Sequence, residues 1–175
     1  MKYYAKDLIA IAVAELGYTE KASNGNLDDK TANAGSGNWT KYGRDLKNAG
    51  YYAGMSKNGY AWCDQFVDWC FLKLCGNRKT AEWLECQTGD YGAGCIYSKQ
   101  YYAAQNRIFT TPQAGDQIFF KSNGEVCHTG IVEAVNGNTI TTIEGNSSDR
   151  VERRNYTLGN GYIDSFGRPK YDTEA

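Results

Sequence analysis

The chain has 175 residues, 41% hydrophobic and 22% charged, with 19 Lys and Arg against 20 Asp and Glu. That length fits one domain with its own core, and a net charge of -1 offers no basic excess for nucleic acid or an anionic membrane. One histidine, His128, excludes a multi-histidine metal site, and six cysteines without a C-x-x-C pair make neither a zinc ribbon nor a disulfide scaffold.

In chain order, residues 8 to 14 form an apolar run that superficially resembles a signal segment. Asp7 interrupts its basic flank and Glu15 closes it. Ile9, Ala12, Val13 and Leu16 recur at helical spacing, so an amphipathic helix is expected and a cleaved leader is not. No run reaches the roughly 18 apolar residues of a membrane span. Residues 17 to 38 read as a long, exposed, polar loop. Asn24, Asn26 and Asp28 alternate as in a calcium loop, but Asp29 and Gly35 stand where Gly and Glu are needed.

A second helix is expected over 39–48 and a Tyr/Gly loop over 51–61. Residues 63 to 75 carry the clearest helical pattern: Cys63, Val67, Cys70, Phe71 and Leu74 make one apolar stripe, Asp64, Asp68 and Lys73 face elsewhere, and Gly76 ends it. Shorter helices are expected around 79–85 and 97–105. Cys86 and Cys95 flank a Gly-rich turn and would pair in an oxidising space, although buried thiols are the simpler reading.

From Pro112 the character changes. Short β-rich runs begin at Ile118, Thr129, Thr139 and Val151, separated by Asn/Gly turns. The expected fold class is therefore α+β, a helical N-terminal half packed on an antiparallel sheet in the C-terminal half. Residues 1–168 form the expected domain, and 169–175 read as a tail or shortened linker.

A cysteine that opens a helix is a candidate nucleophile. Partial positive charge and unpaired N–H groups there favour a thiolate and can hold an oxyanion. Cys63 has that position, with Trp62 and Tyr60 before it as candidate substrate-groove walls; the bland alternative is a core cysteine. His128 opens a strand, and the turn at Asn136 would fold the next strand back so that Glu144 or Asn146 lies beside it. Nucleophile, base and orienting residue would then meet.

These residues resemble a known family. Tyr60-Ala-Trp-Cys-Asp-Gln-Phe-Val-Asp-Trp69, Ala114-Gly-Asp-Gln-Ile-Phe-Phe120, His128-Thr-Gly-Ile-Val132 and Ile143-Glu-Gly-Asn146 look like a CHAP domain, a cysteine, histidine-dependent amidohydrolase/peptidase. The resemblance implies a papain-like fold of the NlpC-type superfamily. It makes Cys63 the nucleophile, His128 the general base and acid, Glu144 the orienting residue and Asn146 a fourth polar member. The implied partner is bacterial peptidoglycan, cut either between sugar lactate and L-Ala or within the stem and cross-bridges.

Some members bind calcium just upstream of the cysteine. Residues 46 to 62 here hold no Asp or Glu, so no metal or cofactor is expected. The resemblance further implies a monomeric phage or prophage endolysin, made in the bacterial cytoplasm without a signal peptide, acting on the wall after release, with room for a separate C-terminal wall-binding domain. Alternatives left open are an injected antibacterial effector amidase, an acyltransferase using the same pair, and a catalytically silent wall-binding module.

Overall fold

The computed structural model describes residues 1–89 and 92–173. Five α-helices precede a six-stranded antiparallel sheet, which is the α+β, papain-like arrangement expected. The helices are α1 (Ala5–Ala14), α2 (Lys41–Asn48), α3 (Cys63–Cys75), α4 (Arg78–Leu84) and α5 (Cys95–Ala104), with a 3-10 turn at Tyr51–Gly54. The strands are β1 (Ile108–Phe109), β2 (Gln117–Ser122), β3 (Glu125–Asn136), β4 (Thr139–Ser147), β5 (Arg150–Thr157) and β6 (Ile163–Gly167), in spatial order β1-β6-β2-β3-β4-β5. Two strands escaped the sequence reading. β1 is only two residues long, and Ile163-Asp-Ser-Phe-Gly167 carries too little apolar alternation to announce β6.

The helix expected over 63–75 forms with those bounds, and Gly76 closes it at φ 70°, a left-handed conformation that glycine adopts without steric cost. Its polar side is not solvent-facing. Asp64 and Asp68 are each 1% exposed, because neighbouring elements enclose α3 on most sides and bury the carboxylates in hydrogen bonds. The main core joins Leu8 and Ala12 of α1, Tyr42 and Leu46 of α2, Phe66, Val67, Cys70 and Phe71 of α3, and Ile131, Ile143 and Val151 of the sheet. A second cluster, Ile118, Phe120, Val132, Ile140 and Phe166, follows the two-residue period that sends alternate side chains to opposite faces.

The segment after α1 is a loop exposed over much of its length, as expected, but its start is anchored in the core. Tyr18 and Lys21 are fully buried, the Tyr18 hydroxyl donates to the Leu27 carbonyl at 2.8 Å, and Lys21 bridges to Ala34 and Trp39. Its carboxylates are occupied. Asp28 takes a bidentate pair from Arg44, and Asp29 caps the Thr31 and Ala32 amides.

The beginning of the expected tail lies against the body. Tyr171 stacks on Phe71 and donates to the Gly115 carbonyl, while Asp172 and Tyr3 exchange two hydrogen bonds. Residues 174 and 175 lie outside the described part. Among the described residues no helix is long and apolar enough to cross a membrane.

Candidate active site

The hairpin β3–β4 builds the clearest constellation. Ile131 pairs with Ile143, so Glu144 falls beside Gly130, two residues from His128. A side chain at 130 would collide: a Cβ there would stand 2.6 Å from Glu144 Cγ. Because glycine leaves that space open, the carboxylate passes over it and Glu144 Oε2 lies 2.9 Å from His128 Nε2. A carboxylate accepts, so Nε2 carries the hydrogen and Nδ1 is the nitrogen left for proton transfer.

Glu144 is 1% exposed and held from a further side. The Thr142 hydroxyl donates to Oε1 at 2.6 Å, and Tyr156 lines the groove beside it. The Tyr156 hydroxyl holds its proton more tightly than usual, first through burial and then through the Glu144 charge. The imidazole packs on Phe120, its partner across β2, with ring centroids 5.7 Å apart. Sheet and carboxylate together leave the ring one orientation.

Asn146 occupies the irregularity where the β4–β5 register shifts between Glu144 and Ser147. Its φ of 54° is a left-handed conformation that Asn tolerates better than most residues. It lines an open groove of about 510 Å³ together with Cys127, His128, Glu144, Arg154, Tyr156 and Tyr162. It is Glu144, and not Asn146, that bonds the ring. Thr142, Tyr156 and Tyr162 were not found from sequence. Thr142 carried a weak signal, since it shares a strand face with Glu144; Tyr162 carried none.

Cys63 is the first residue of α3, and no side chain caps that helix. The start of α3 is pinned to β4. A Cβ at Gly145 would meet Phe66 at 2.5 Å and Trp62 at 3.0 Å, so only glycine permits this approach. Cys63 does not line the groove. Cys63 is 8% exposed, and its neighbour Asp64 accepts a hydrogen bond at 3.0 Å from Ser98, one turn into α5.

The electrostatics of this position differ from those expected of a helix start. The Cys63 thiol is pushed well above the usual range, first by the neighbouring Cys95, which favours its protonated form, and then by burial, so a resting thiolate at Cys63 is not what the helix N-terminus produces here. Cys95 is shifted down, first by the neighbouring Cys63 and also by the Cys95 and Ile96 amides. Tyr162 lines the groove, and burial makes its hydroxyl hold its proton more tightly than usual.

Trp62 is a correction. Expected as a groove wall, it is 0% exposed: its indole Nε1 donates to Glu20 Oε2 at 2.7 Å and its ring packs on Tyr42 and Tyr18. A large ring one residue before a buried helix is worth more inside the core than at the surface. Tyr60 is 66% exposed, outside that core. Cys86 and Cys95 share a small buried cluster with Tyr102 and Phe119, both as free thiols. Among the described residues no group of three or more His, Cys, Asp or Glu is arranged to hold a metal ion.

Residues 55–146 match the family model of the CHAP domain. No curated protein matches the sequence. Among solved structures, the chain is similar to the crystal structure of Ly7917, at TM-score 0.54 and 15% identity over 95% of this chain. It is also similar to Ly7917 with the hydrolyzing product of MDP, at TM-score 0.52, 17% identity and 95% coverage. The chain spans 62% and 63% of those two chains. The NlpC/p60 domain of the peptidoglycan hydrolase SagA aligns at TM-score 0.48 and 14% identity, over 94% of this chain and 97% of that one.

Proposed function

This chain belongs to the CHAP domain family, whose model covers the segment from 55 to 146, and from that premise we propose that it hydrolyses an amide bond in bacterial peptidoglycan. Cys63 supplies the nucleophile, His128 moves the proton and Glu144 orients the ring. The observation that carries this reading is the buried Glu144 bonded to Nε2 of the chain's one histidine, inside the segment the family model covers.

In the proposed reaction Cys63 passes its proton to His128 Nδ1, and the sulfur attacks the amide carbonyl. The tetrahedral oxyanion is met by the first-turn N–H groups of α3, where no side-chain cap competes. The imidazolium, stabilised by Glu144, protonates the leaving amine, and water then releases the acyl group. Asn146 and Tyr60 border the path of the substrate. The bond is an N-acetylmuramoyl-L-alanine linkage or one within the stem or cross-bridge.

The finer biological reading is a bacteriolytic, antimicrobial enzyme of the endolysin type, acting as a monomer. Its support is the match to the CHAP domain family model. The test is mass spectrometry of fragments released from purified cell walls by wild type and by Cys63→Ala. New termini at one amide bond, absent with Cys63→Ala, are expected. Wall binding without release would assign the groove to recognition alone, and equal release by both proteins would remove Cys63 from the chemistry.

A further inference from the structure

Side chains of β5 alternate between its two faces, so the adjacent arginines at its centre go opposite ways. Arg153 turns to the face where Glu133 takes its Nε and Nη2 as a bidentate pair, at 2.6 and 2.8 Å. Arg154 turns to the other face and lines the groove of His128 and Glu144. The register fixes its place there. Arg154 pairs directly with Thr142, whose hydroxyl donates to Glu144, so Glu144 is the diagonal neighbour of Arg154 across β4. Diagonal neighbours on one sheet face lie about 7–8 Å apart, within the span of an arginine side chain.

The guanidinium is held but not saturated. Its Nε donates to Ser147 Oγ at 2.5 Å, and its Nη2 donates to Ser148 Oγ at 3.1 Å and to Glu152 Oε2 at 2.8 Å. Nη1, with two N–H donors, has no partner among the described residues. Two of the three groups that hold the fork are neutral hydroxyls, and the side chain is 41% exposed. Besides His128, the charged residues lining the groove are Glu144 and Arg154. Glu144 is 1% exposed, and its oxygens already accept from His128 and Thr142. The charge that the groove offers a ligand is therefore the guanidinium's. A planar fork of N–H donors fits a carboxylate better than any neutral group.

We propose that Arg154 is a specificity-determining residue that binds a free carboxylate of the peptide substrate, so that the groove selects acidic stems. This rests on the hydrolase reading and narrows its substrate to stem peptides with a free carboxylate near the amide that is cut. Two carboxylates have that chemistry, one on an internal acidic residue of the stem and one at its C-terminus. A purely structural Arg154 would clamp the β4–β5 turn through Ser147 and Ser148. That role moves the melting temperature and is blind to substrate charge.

The test measures kcat and KM on synthetic muramyl stem peptides that differ only in charge: both carboxyls free, the internal one converted to a primary amide, or the C-terminal one converted. With wild type, amidating the carboxylate that Arg154 holds should raise KM about 5–30-fold, and added salt should shrink that difference. Which amide raises KM identifies the carboxylate. Arg154→Gln, checked for wild-type melting, should lose the preference. Arg154→Lys should keep part of it, since the charge stays and the fork goes. Equal KM for all three stems with wild type, or a preference that survives in folded Arg154→Gln, would overturn the proposal. Should Arg154→Gln fail to fold, Glu152→Gln decides. It removes the carboxylate that competes for Nη2 and should widen the preference, and an unchanged preference overturns the proposal. Should wild type hydrolyse no stem, the proposed function fails, and equilibrium binding of the same three peptides to wild type and Arg154→Gln decides the role of Arg154. Binding that ignores the amide, or no binding of any stem, overturns it.

Discussion

Glu144 reaches His128 across the missing side chain of Gly130: the carboxylate oxygen lies 2.9 Å from Nε2, and the space it crosses is the space a Cβ at position 130 would occupy. Three residues thus set one histidine's orientation, one by charge, one by packing and one by being absent as a side chain.

Glu144→Gln should keep the shape of this contact and remove its charge. Hydrogen bonds to charged groups contribute about 1.5–3 kcal/mol, so wall hydrolysis should fall about 10–150-fold with little change in melting temperature. Asn146→Ala should cost less, because Asn146 borders the groove from a bulge while Glu144 bonds the ring. Lysis rates of both variants beside wild type check this. A larger loss in Asn146→Ala would transfer the orienting role.

Gly130→Ala adds a methyl that meets Glu144 Cγ at 2.6 Å and the Ile143 carbonyl at 2.9 Å. Overpacking of this kind costs about 1–3 kcal/mol, and relief requires the carboxylate to swing off the imidazole. Activity should therefore fall together with the melting temperature. Full activity in a folded Gly130→Ala protein would show that Glu144 need not lie where the structure puts it.

Trp62→Phe should act on stability and not on substrate affinity. It removes the indole N–H from Glu20 and leaves a buried carboxylate oxygen one partner short, a loss of about 1–3 kcal/mol. Chemical denaturation should show a lower midpoint while KM on soluble wall fragments stays put. A raised KM at unchanged stability would restore Trp62 to the groove wall.

Stability should fall as pH rises from about 4 to 7. Burial raises the Asp68 carboxyl to about 6, and burial likewise pushes Asp64 and Glu85 up. A carboxyl whose folded pKa lies above its unfolded value binds more protons when folded. Its folded form is favoured in acid, and that advantage is lost as pH climbs through the window between the two values. For Asp68 the change is roughly 3 kcal/mol. Asp68→Asn keeps polar atoms facing Tyr52 and Gln87 and should flatten the profile. Melting curves from pH 4 to 7 for both proteins measure it; identical slopes would remove Asp68 as the source.

Local signals carried far in this chain. The bounds of α3 and its glycine stop were readable because helical periodicity and a C-terminal glycine act within a few residues. The approach of Glu144 to His128 was readable because a short turn between two antiparallel strands makes position along one strand a guide to the other. Tertiary packing decided the rest. Asp64 and Asp68 were read only as facing away from the apolar stripe, because a single helix has one obvious apolar side, but α3 is enclosed by partners from distant segments. Trp62 looked like a surface wall until Glu20, in a loop read as exposed, turned inward to hold its nitrogen. The bond from Ser98 of α5 to Asp64 of α3 had no trace in the pattern of either helix. A contact between two helix starts depends on how α5 docks against α3, and that is settled by burial and hydrogen bonding summed over the whole domain, not by the residues flanking either side chain.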